Sequence, residues 1–272
     1  MTRFKADHIR TAILNMAYSG ATVHVGCAFS IVELLAVLYR QHLRVNPSNP
    51  DAPERDYLVL SKGHGVMAQY ACLNELRWLT DEDLARYFQD GSRLKGLADA
   101  HIPGVEATTG SLGHGMSVAA GLALAAKLNK TDQVCYVLVG DGELNEGPIW
   151  EAALFANHFK LDNLVVLIDK NGFQAMGTTD EVMALGNIED KFRAFGFDAV
   201  TLDGHDEAAI DAAYTQARAT RNGKPKAIVA RTTKGKGVSF MENDNIWHYT
   251  RLTPETHAAA LAELANHKRV QP

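Results

Sequence analysis

The amino-acid sequence predicts an α/β fold, a doubly wound and mostly parallel sheet with helices on both faces. Short runs of β-branched and aliphatic residues, each ending in a turn rich in Gly, Asp or Asn, alternate with segments of helical periodicity. Strands that are apolar throughout are typical of parallel strands covered on both faces, and their alternation with helices is typical of βαβ units. With 272 residues, 46% hydrophobic and 22% charged, the chain has the composition of a globular protein.

Five strands are predicted, each bounded by turn residues. In chain order they are Tyr57–Leu60, Val134–Val139, Leu164–Ile168, Ala199–Leu202 and Ala227–Ala230. Ligands of doubly wound sheets bind beyond the carboxyl ends of the strands. The loops that follow these strands are therefore where functional residues are expected.

Helical periodicity fills the intervals between the strands. The predicted helices are Ile31–Tyr39, Met116–Leu128, Ile149–Phe159, Ala208–Ala219 and Pro254–Ala265. The acidic run Asp81–Asp83 is interpreted as the charged first turn of a further helix. No Pro-, Gly- or Ser-rich linker divides the chain, so we predict a single domain over residues 1–272, with an N-terminal helical segment over about residues 1–50.

Composition and charge exclude several classes of function. The 27 Lys and Arg residues against 32 Asp and Glu leave a net charge of −5, without the basic surplus that general nucleic-acid binding requires. The longest apolar runs are too short to cross a bilayer, and the first ten residues lack the apolar core of a secretory signal. The three cysteines are expected to be small buried residues. We therefore expect a cytoplasmic protein that binds neither nucleic acid nor membrane.

Two polar residues follow neighbouring predicted strands. Asp141 lies in the Gly-Asp-Gly turn after one strand, and Asn171 lies after the next. Adjacent parallel strands would bring both side chains to one sheet edge, where carboxylate and amide oxygens suit Mg²⁺ and its diphosphate ligands. Gly142 lets the backbone approach a phosphate, and the next helix directs its N-terminus toward it. A Gly-Asp-Gly turn alone is a weak signal, since many strands end in such a tight turn. Together with Asn171, it favours a metal–diphosphate site.

The segment GDGELNEGPIWEAALFANHFKLDNLVVLIDKN resembles the thiamine diphosphate signature, which opens with GDG and closes with Asn. Four further segments, in order, resemble those of transketolases. They are GATVHVGCAFS, LSKGHGVMAQY, PGVEATTGSLGHGMSVAAGLALA and KGKGVSFMENDNIWH. The resemblance covers nearly the whole chain, but matches only the amino-terminal, diphosphate-binding third or so of a full transketolase. The chain is therefore similar to the first subunit of a split transketolase.

The resemblance implies a set of site residues. The metal ligands would be the side chains of Asp141 and Asn171 and the backbone carbonyl of Phe173. The cofactor contacts would come from His64, Gly110, Ser111, Leu112, Asp141, Gly142, Glu143, Asn171 and His248. The catalytic set would be His24, His64, His248 and Glu146, with His24 and His248 lining the substrate channel. Glu146 would belong to a carboxylate network that couples paired active sites, with Glu151 at the same interface.

The resemblance also implies a function and partners. It predicts transfer of a two-carbon ketol unit from a ketose phosphate donor to an aldose acceptor, with thiamine diphosphate and Mg²⁺ as cofactors and Ca²⁺ or Mn²⁺ as alternative ions. The partner would be a C-terminal subunit carrying the pyrimidine-binding and C-terminal domains, in an α₂β₂ heterotetramer. Three alternatives remain open: an unusual donor such as a modified ketose or 2-oxo acid, another type of thiamine enzyme, and a non-catalytic cofactor-binding subunit.

One position departs from the transketolase pattern. Where transketolases usually read PGHP, this chain has Leu97, which cannot hydrogen-bond a donor hydroxyl. Two explanations compete: His101 or Asp99 reaches that hydroxyl instead, or the donor lacks it. We favour the second.

Several other side chains are expected to have ordinary structural roles. Trp150 and Trp247 are interpreted as packing or interface residues. Lys234 and Lys236 are interpreted as part of either a phosphate loop or a solvated surface. Six histidines are assigned to solvated positions: His8, His42, His158, His205, His257 and His267.

Overall fold

Five parallel strands form the central sheet of the protein. The structure is a computed structural model that describes residues 3–270, without the side chains of residues 267–270. The strands are β1 (Tyr57–Leu60), β2 (Cys135–Gly140), β3 (Leu164–Lys170), β6 (Asp198–Asp203) and β7 (Lys226–Arg231), and a small antiparallel hairpin is formed by β4 (Phe173–Gln174) and β5 (Gly177–Thr178). The sheet order is β1-β2-β3-β7-β6, with every pairing parallel. The predicted fold and all five predicted strands are confirmed.

Helices cover both faces of this sheet. They are α1 (Ala6–Ser19), α2 (Val25–Phe29), α3 (Val32–Val37), α4 (Val66–Glu75), α5 (Asp81–Ala85), α6 (Gly115–Leu128), α7 (Gly147–His158), α8 (Thr179–Met183), α9 (Ile188–Ala194), α10 (Glu207–Ala219) and α11 (Pro254–Val270). One core contains α1 to α4, α10 and α11, and the other contains α6, α7 and α9. Within the described residues, no helix is long and apolar enough to span a membrane.

Successive residues of a strand enter opposite cores, because side chains alternate across a sheet. In β2, for example, Tyr136 and Leu138 belong to the first core, whereas Val137 and Val139 belong to the second. This double burial explains why the strands are apolar throughout. The edge strand β6 is the exception, since Val200 is 44% exposed.

The helices differ from the predictions in several places, and α8 and α9 are among those that were not predicted. The helix α4 was not predicted, because Val66 to Leu73 are all buried and leave no polar face to mark a helical period. The predicted helix Ile31–Tyr39 is divided into α3 and a π-helical turn, Leu38–His42. The acidic run Asp81–Asp83 does begin a helix, with Thr80 and Asp83 forming a capping box.

Two of the histidine assignments to solvated positions are wrong. His42 pairs with Asp211 at 2.7 Å, and His205 with the buried Glu33 at 2.9 Å. Both are held between helices by carboxylates that lie far away in sequence, which residue type alone does not reveal. His267 lies outside the described side chains. The three cysteines are buried and free, as expected.

Trp150 and Trp247 pack within the protein, Trp150 against Phe192 and Phe195 and Trp247 against Phe240. The indole N–H of Trp150 donates to the Leu144 carbonyl at 2.8 Å, and that of Trp247 donates to the Phe240 carbonyl at 2.9 Å.

Candidate active site

The register of β2 and β3 brings the predicted polar residues to one sheet edge. Gly140 pairs with Asp169, so Asp141 and Asn171 both lie just beyond the carboxyl ends of adjacent parallel strands. Asp141 accepts hydrogen bonds from the backbone N–H groups of Gly142 (2.9 Å) and Gly172 (2.6 Å). Burial, and then the carboxylate of Asp169, raise the pKa of Asp141 to about 7. A buried carboxylate held in this way gains stability from a cation at its side.

Asn171 is oriented by a buried carboxylate that was not singled out from the sequence. Its Nδ2 donates to Asp169 at 2.7 Å, and its Oδ1 accepts from the N–H of Phe173 at 3.0 Å. An amide oxygen has a second lone pair. Oδ1 therefore remains able to ligate a cation while Asp169 fixes the amide.

Asp169 is itself bound by three other side chains. Lys62 (2.5 Å), Ser30 (2.8 Å) and Thr232 all donate to its carboxylate. Burial opposes the charge of Lys62, but Asp169 outweighs it, and the pKa of Lys62 is raised. This fully satisfied ion pair forms a rigid base beneath the sheet edge.

Glu143 holds the loops around the site together. Its carboxylate accepts from the Ser61 hydroxyl and from the backbone N–H groups of Gly113 (2.8 Å) and Gly140 (3.1 Å). Glu143 is 2% exposed, and burial raises its pKa. The side chain thereby joins the loops after β1 and β2 to the start of α6.

Three histidines converge above the sheet edge. The ring of His24 lies 5.1 Å from that of His64 and 5.3 Å from that of His248, and His64 and His248 are 5.7 Å apart. Burial, and then the ammonium group of Lys234, lower the pKa of His24 to about 4 and that of His248 to about 3. Burial and Lys62 hold the pKa of His64 well below its ordinary value. All three imidazoles are therefore neutral at physiological pH.

Backbone geometry fixes His24 in this cluster. His24 has φ +72, in the left-handed region that few non-glycine residues adopt, and its N–H donates to the His248 carbonyl at 3.1 Å. Strained residues of this kind occur at functional sites where the surroundings over-determine them.

These groups line one cavity of about 480 Å³. Among the predicted site residues, those that line it are His24, His64, Gly110, Leu112, Asp141, Gly142, Glu143, Glu146, Asn171, Phe173 and His248. Ser111 is exposed and is not among the lining residues. The structure adds lining residues that the sequence did not single out: Cys27, Lys62, Asn145, Gln174, Ala175, Met176 and Tyr249. Of these, Cys27, Lys62 and Asn145 stood in segments that resemble those of transketolases, whereas the other four did not.

Leu97 lies on the wall of this cavity. A Cβ added to Gly110 would meet the Leu97 side chain at 2.8 Å, so the two residues are in close contact. His101 is directed elsewhere, with its side chain 91% exposed and paired with Asp99 at 2.7 Å.

The residues present fit a hard divalent cation and a diphosphate. The proposed metal ligands are all oxygen atoms, as Mg²⁺ requires. The buried Nε2 of Gln174, on the cavity wall, has no hydrogen-bond partner within residues 3–270, as expected of a donor that faces a ligand. A Cβ on Gly142 would meet Gln174 Cγ at 2.8 Å, so glycine keeps the two close.

Comparison with known proteins agrees with this geometry. Residues 2–267 match the family described as "Transketolase, thiamine diphosphate binding domain". The chain is 41% identical over 261 residues to one subunit of the apulose-4-phosphate transketolase from Phocaeicola vulgatus, covering 96% of this chain and 92% of that protein. It is 44% identical over 261 residues to a 6-deoxy-6-sulfo-D-fructose transketolase subunit from Clostridium sp. (strain MSTE9), covering 96% and 94%.

Solved structures show the same fold. The transketolase from Leishmania mexicana superposes with a TM-score of 0.88 at 35% identity, and that from Campylobacter jejuni with 0.89 at 32% identity. Each match covers 96% of this chain but only 40% and 42% of those chains.

The fold and site define a parallel α/β protein whose functional groups meet beyond the carboxyl ends of its strands, as in cofactor-binding enzymes of this class. The chain belongs to the transketolase family, as its thiamine diphosphate-binding domain. The two relatives that the chain matches over 92% and 94% of their own length are transketolase subunits, so the chain is a component of a transferase.

Proposed function

We propose that the chain is the cofactor-binding subunit of a two-chain transketolase, active with Mg²⁺ and a separate C-terminal subunit in an α₂β₂ heterotetramer in the cytoplasm. The carrying observation is the meeting of Asp141, Asn171 and the three histidines in one cavity. The relatives named as transketolase subunits match this chain over nearly their whole length, which supports a split enzyme. Under this proposal, residues 1–272 form one domain.

Each group has a role in the proposed reaction. Bound thiamine diphosphate would supply the carbon nucleophile that accepts the two-carbon unit. Asp141, Asn171 and the Phe173 carbonyl would hold the ion. The cofactor would be oriented by His64, by Gly142 and by backbone groups of Gly110, Ser111 and Leu112. Neutral imidazoles that line the cavity can exchange protons with sugar hydroxyls. Glu143, whose oxygens are all engaged by the protein, is proposed to position the loops.

Calorimetry tests the cofactor part of the proposal directly. Titration with thiamine diphosphate should show saturable binding in Mg²⁺, weaker binding in EDTA, and restoration by Ca²⁺ or Mn²⁺. Free thiamine, which lacks the diphosphate, is the matched control ligand. Equal affinity with and without divalent ions would contradict the metal assignment.

Leu97 supports a narrower proposal, that the donor is an unusual ketose. The apolar wall at this position offers no partner to a donor hydroxyl, and His101 does not reach the cavity. Two similar subunits are named for unusual sugars, apulose 4-phosphate and 6-deoxy-6-sulfo-D-fructose, which supports this proposal. A non-catalytic role is less well supported, because the full set of polar residues is present in the cavity.

A further inference from the structure

Lys234 is buried directly behind His248. It is 0% exposed, although an uncompensated ammonium group is costly to bury. Within the described residues it has no carboxylate partner closer than 4.0 Å. Its Nζ instead contacts two neutral groups, the Oδ1 of Asn245 at 2.9 Å and the Nδ1 of His248 at 2.8 Å.

The path of the Lys234 side chain is set by two glycines. A Cβ on Gly26 would meet Lys234 Cγ at 3.2 Å, so the side chain passes close against the start of α2. Gly235 has φ +77, and a Cβ there would meet the Met241 carbonyl oxygen at 2.3 Å. Only a glycine permits the turn that directs Lys234 inward.

These contacts decide which nitrogen of His248 carries its proton. An ammonium group has three donors and no acceptor, and Asn245 Oδ1 can only accept. The Cys27 thiol also lies 3.6 Å from the same Nδ1. Because donors face Nδ1, the neutral imidazole must carry its proton on Nε2. Within residues 3–270, Nε2 has no hydrogen-bond partner, and His248 lines the cavity.

We propose that Lys234 is a positioning residue that holds His248 in the Nε2–H tautomer, so that His248 presents a hydrogen-bond donor to an oxygen of the ligand in the cavity. In this state Nε2 cannot accept a proton. The proton-accepting role in the cluster therefore falls to His24 and His64. The ligand part of this inference rests on the proposed function, whereas the tautomer does not.

NMR spectroscopy of the full chain labelled with ¹⁵N at histidine tests the tautomer without cofactor. The His248 signals are identified by their loss in His248→Phe. We expect a protonated Nε2 and a hydrogen-bonded, unprotonated Nδ1 in the wild type, and a displaced Nδ1 signal in Lys234→Met. Lys236→Met is the matched control, because Lys236 is half-exposed and pairs with Glu242. A proton on Nδ1, or an Nδ1 signal identical in wild type and Lys234→Met, would overturn the proposal.

A double-mutant cycle tests whether Lys234 acts through His248. It compares Lys234→Met, His248→Phe and the double variant by the Kd of thiamine diphosphate in saturating Mg²⁺ and by the KM of the ketose with the partner chain. We expect each single variant to lose at least about tenfold in one of these quantities, as for a lost charge-assisted hydrogen bond, and the double variant to lose no more than His248→Phe. A change in the Kd of thiamine diphosphate would place the bonded oxygen on the cofactor, and a change in the KM of the ketose would place it on the sugar.

If the losses of the two single variants multiply in the double variant, Lys234 acts by its own charge and the proposal is overturned. The proposal is also overturned if neither the Kd of thiamine diphosphate nor the KM of the ketose changes in the single variants. Failure of the wild type to bind thiamine diphosphate would refute the proposed function, while the NMR result would still decide the tautomer.

Discussion

At the scale of single residues, the site depends on a buried carboxylate, Asp141, which has no ion-pair partner within 4.0 Å among the residues that the structure describes. Asp141 is 1% exposed, yet it belongs to neither of the two hydrophobic cores. Within the described residues its hydrogen-bond donors are the backbone N–H groups of Gly142 and Gly172, so its replacement leaves no other side chain unpaired. The function of the residue and the stability of the fold can therefore be separated by mutation.

We expect Asp141→Ala to abolish metal-dependent binding of thiamine diphosphate. The variant removes one oxygen ligand from an ion that requires a full octahedron. Calorimetric titration at saturating Mg²⁺ measures the effect, and circular dichroism checks the fold. The exposed Asp90→Ala is the matched control. Unchanged affinity in Asp141→Ala would contradict the metal assignment. Asn171→Ala should have the same effect, but it also deprives Asp169 of a donor.

Leu97 is expected to determine which donor the enzyme uses. A hydroxyl facing leucine loses its partner at a cost of about 1–3 kcal/mol. With the partner chain present, we expect the wild type to use xylulose 5-phosphate poorly, and Leu97→His to raise kcat/KM for it by about tenfold. A donor panel measures this, with His101→Ala as the control for the alternative explanation. Ordinary efficiency of the wild type with xylulose 5-phosphate, unchanged in Leu97→His, would contradict the prediction.

At the scale of elements, a buried ion pair joins the helices behind the site. Glu33 of α3 binds Arg10 of α1 at 2.7 Å, and its second oxygen binds His205 before α10 at 2.9 Å. Burial opposes the charge of Glu33, but Arg10 and then His205 outweigh it and lower its pKa to about 2. The segment that follows α1 ends in His24, just before α2. The ion pair holds α1 against α3 and thereby helps to fix the position of His24.

We expect Glu33→Gln to destabilise the fold by about 3 kcal/mol at pH 7. The folded-state pKa is lowered, so the contribution is fully present above the unfolded value near 4.5 and is lost as the pH falls toward 2. Urea unfolding at pH 7 and at pH 4 measures the difference between wild type and variant. The exposed Glu54→Gln should leave stability unchanged. A pH-independent difference would show that packing, and not charge, explains the loss.

At the scale of the whole molecule, the candidate active site is open on one side. Three apolar residues on its rim are exposed: Leu97 by 43%, Tyr249 by 75% and Met176 by 81%. The chain matches only 40% of the length of a whole transketolase, the Leishmania enzyme. Exposed apolar surface of this kind is typical of an interaction site, which agrees with the proposed C-terminal subunit.

We therefore expect the purified chain alone to have no transketolase turnover and to gain activity with its partner. The physical reason is that the open cavity admits water and lacks the groups of the facing subunit. Coupled assay of the chain, the partner and their mixture measures this. Light scattering reports whether the mixture has the mass of an α₂β₂ assembly, which needs an interface above about 1,000 Å². Robust turnover by the single chain would refute the prediction.

The strands, most helices and the position of the site followed from the sequence, because they depend on local chemistry. Double burial makes strands such as Cys135–Gly140 apolar throughout, and the turn residues after them mark the sheet edge. Asp141 and Asn171 were predictable because successive strands of a βαβ unit usually lie side by side, which brings the loops after them to one sheet edge.

Only the tertiary structure decided which distant residues meet. Lys62 pairs with Asp169, and Lys234 lies behind His248, yet no periodicity distinguishes these side chains from solvated ones. The tertiary structure also gives Lys234 and Lys236 different environments. Lys234 is buried in the site, whereas Lys236 is half-exposed. The physical reason is that local sequence governs backbone conformation and burial pattern, whereas hydrogen-bond partners far apart in the chain are set by how the loops converge on folding.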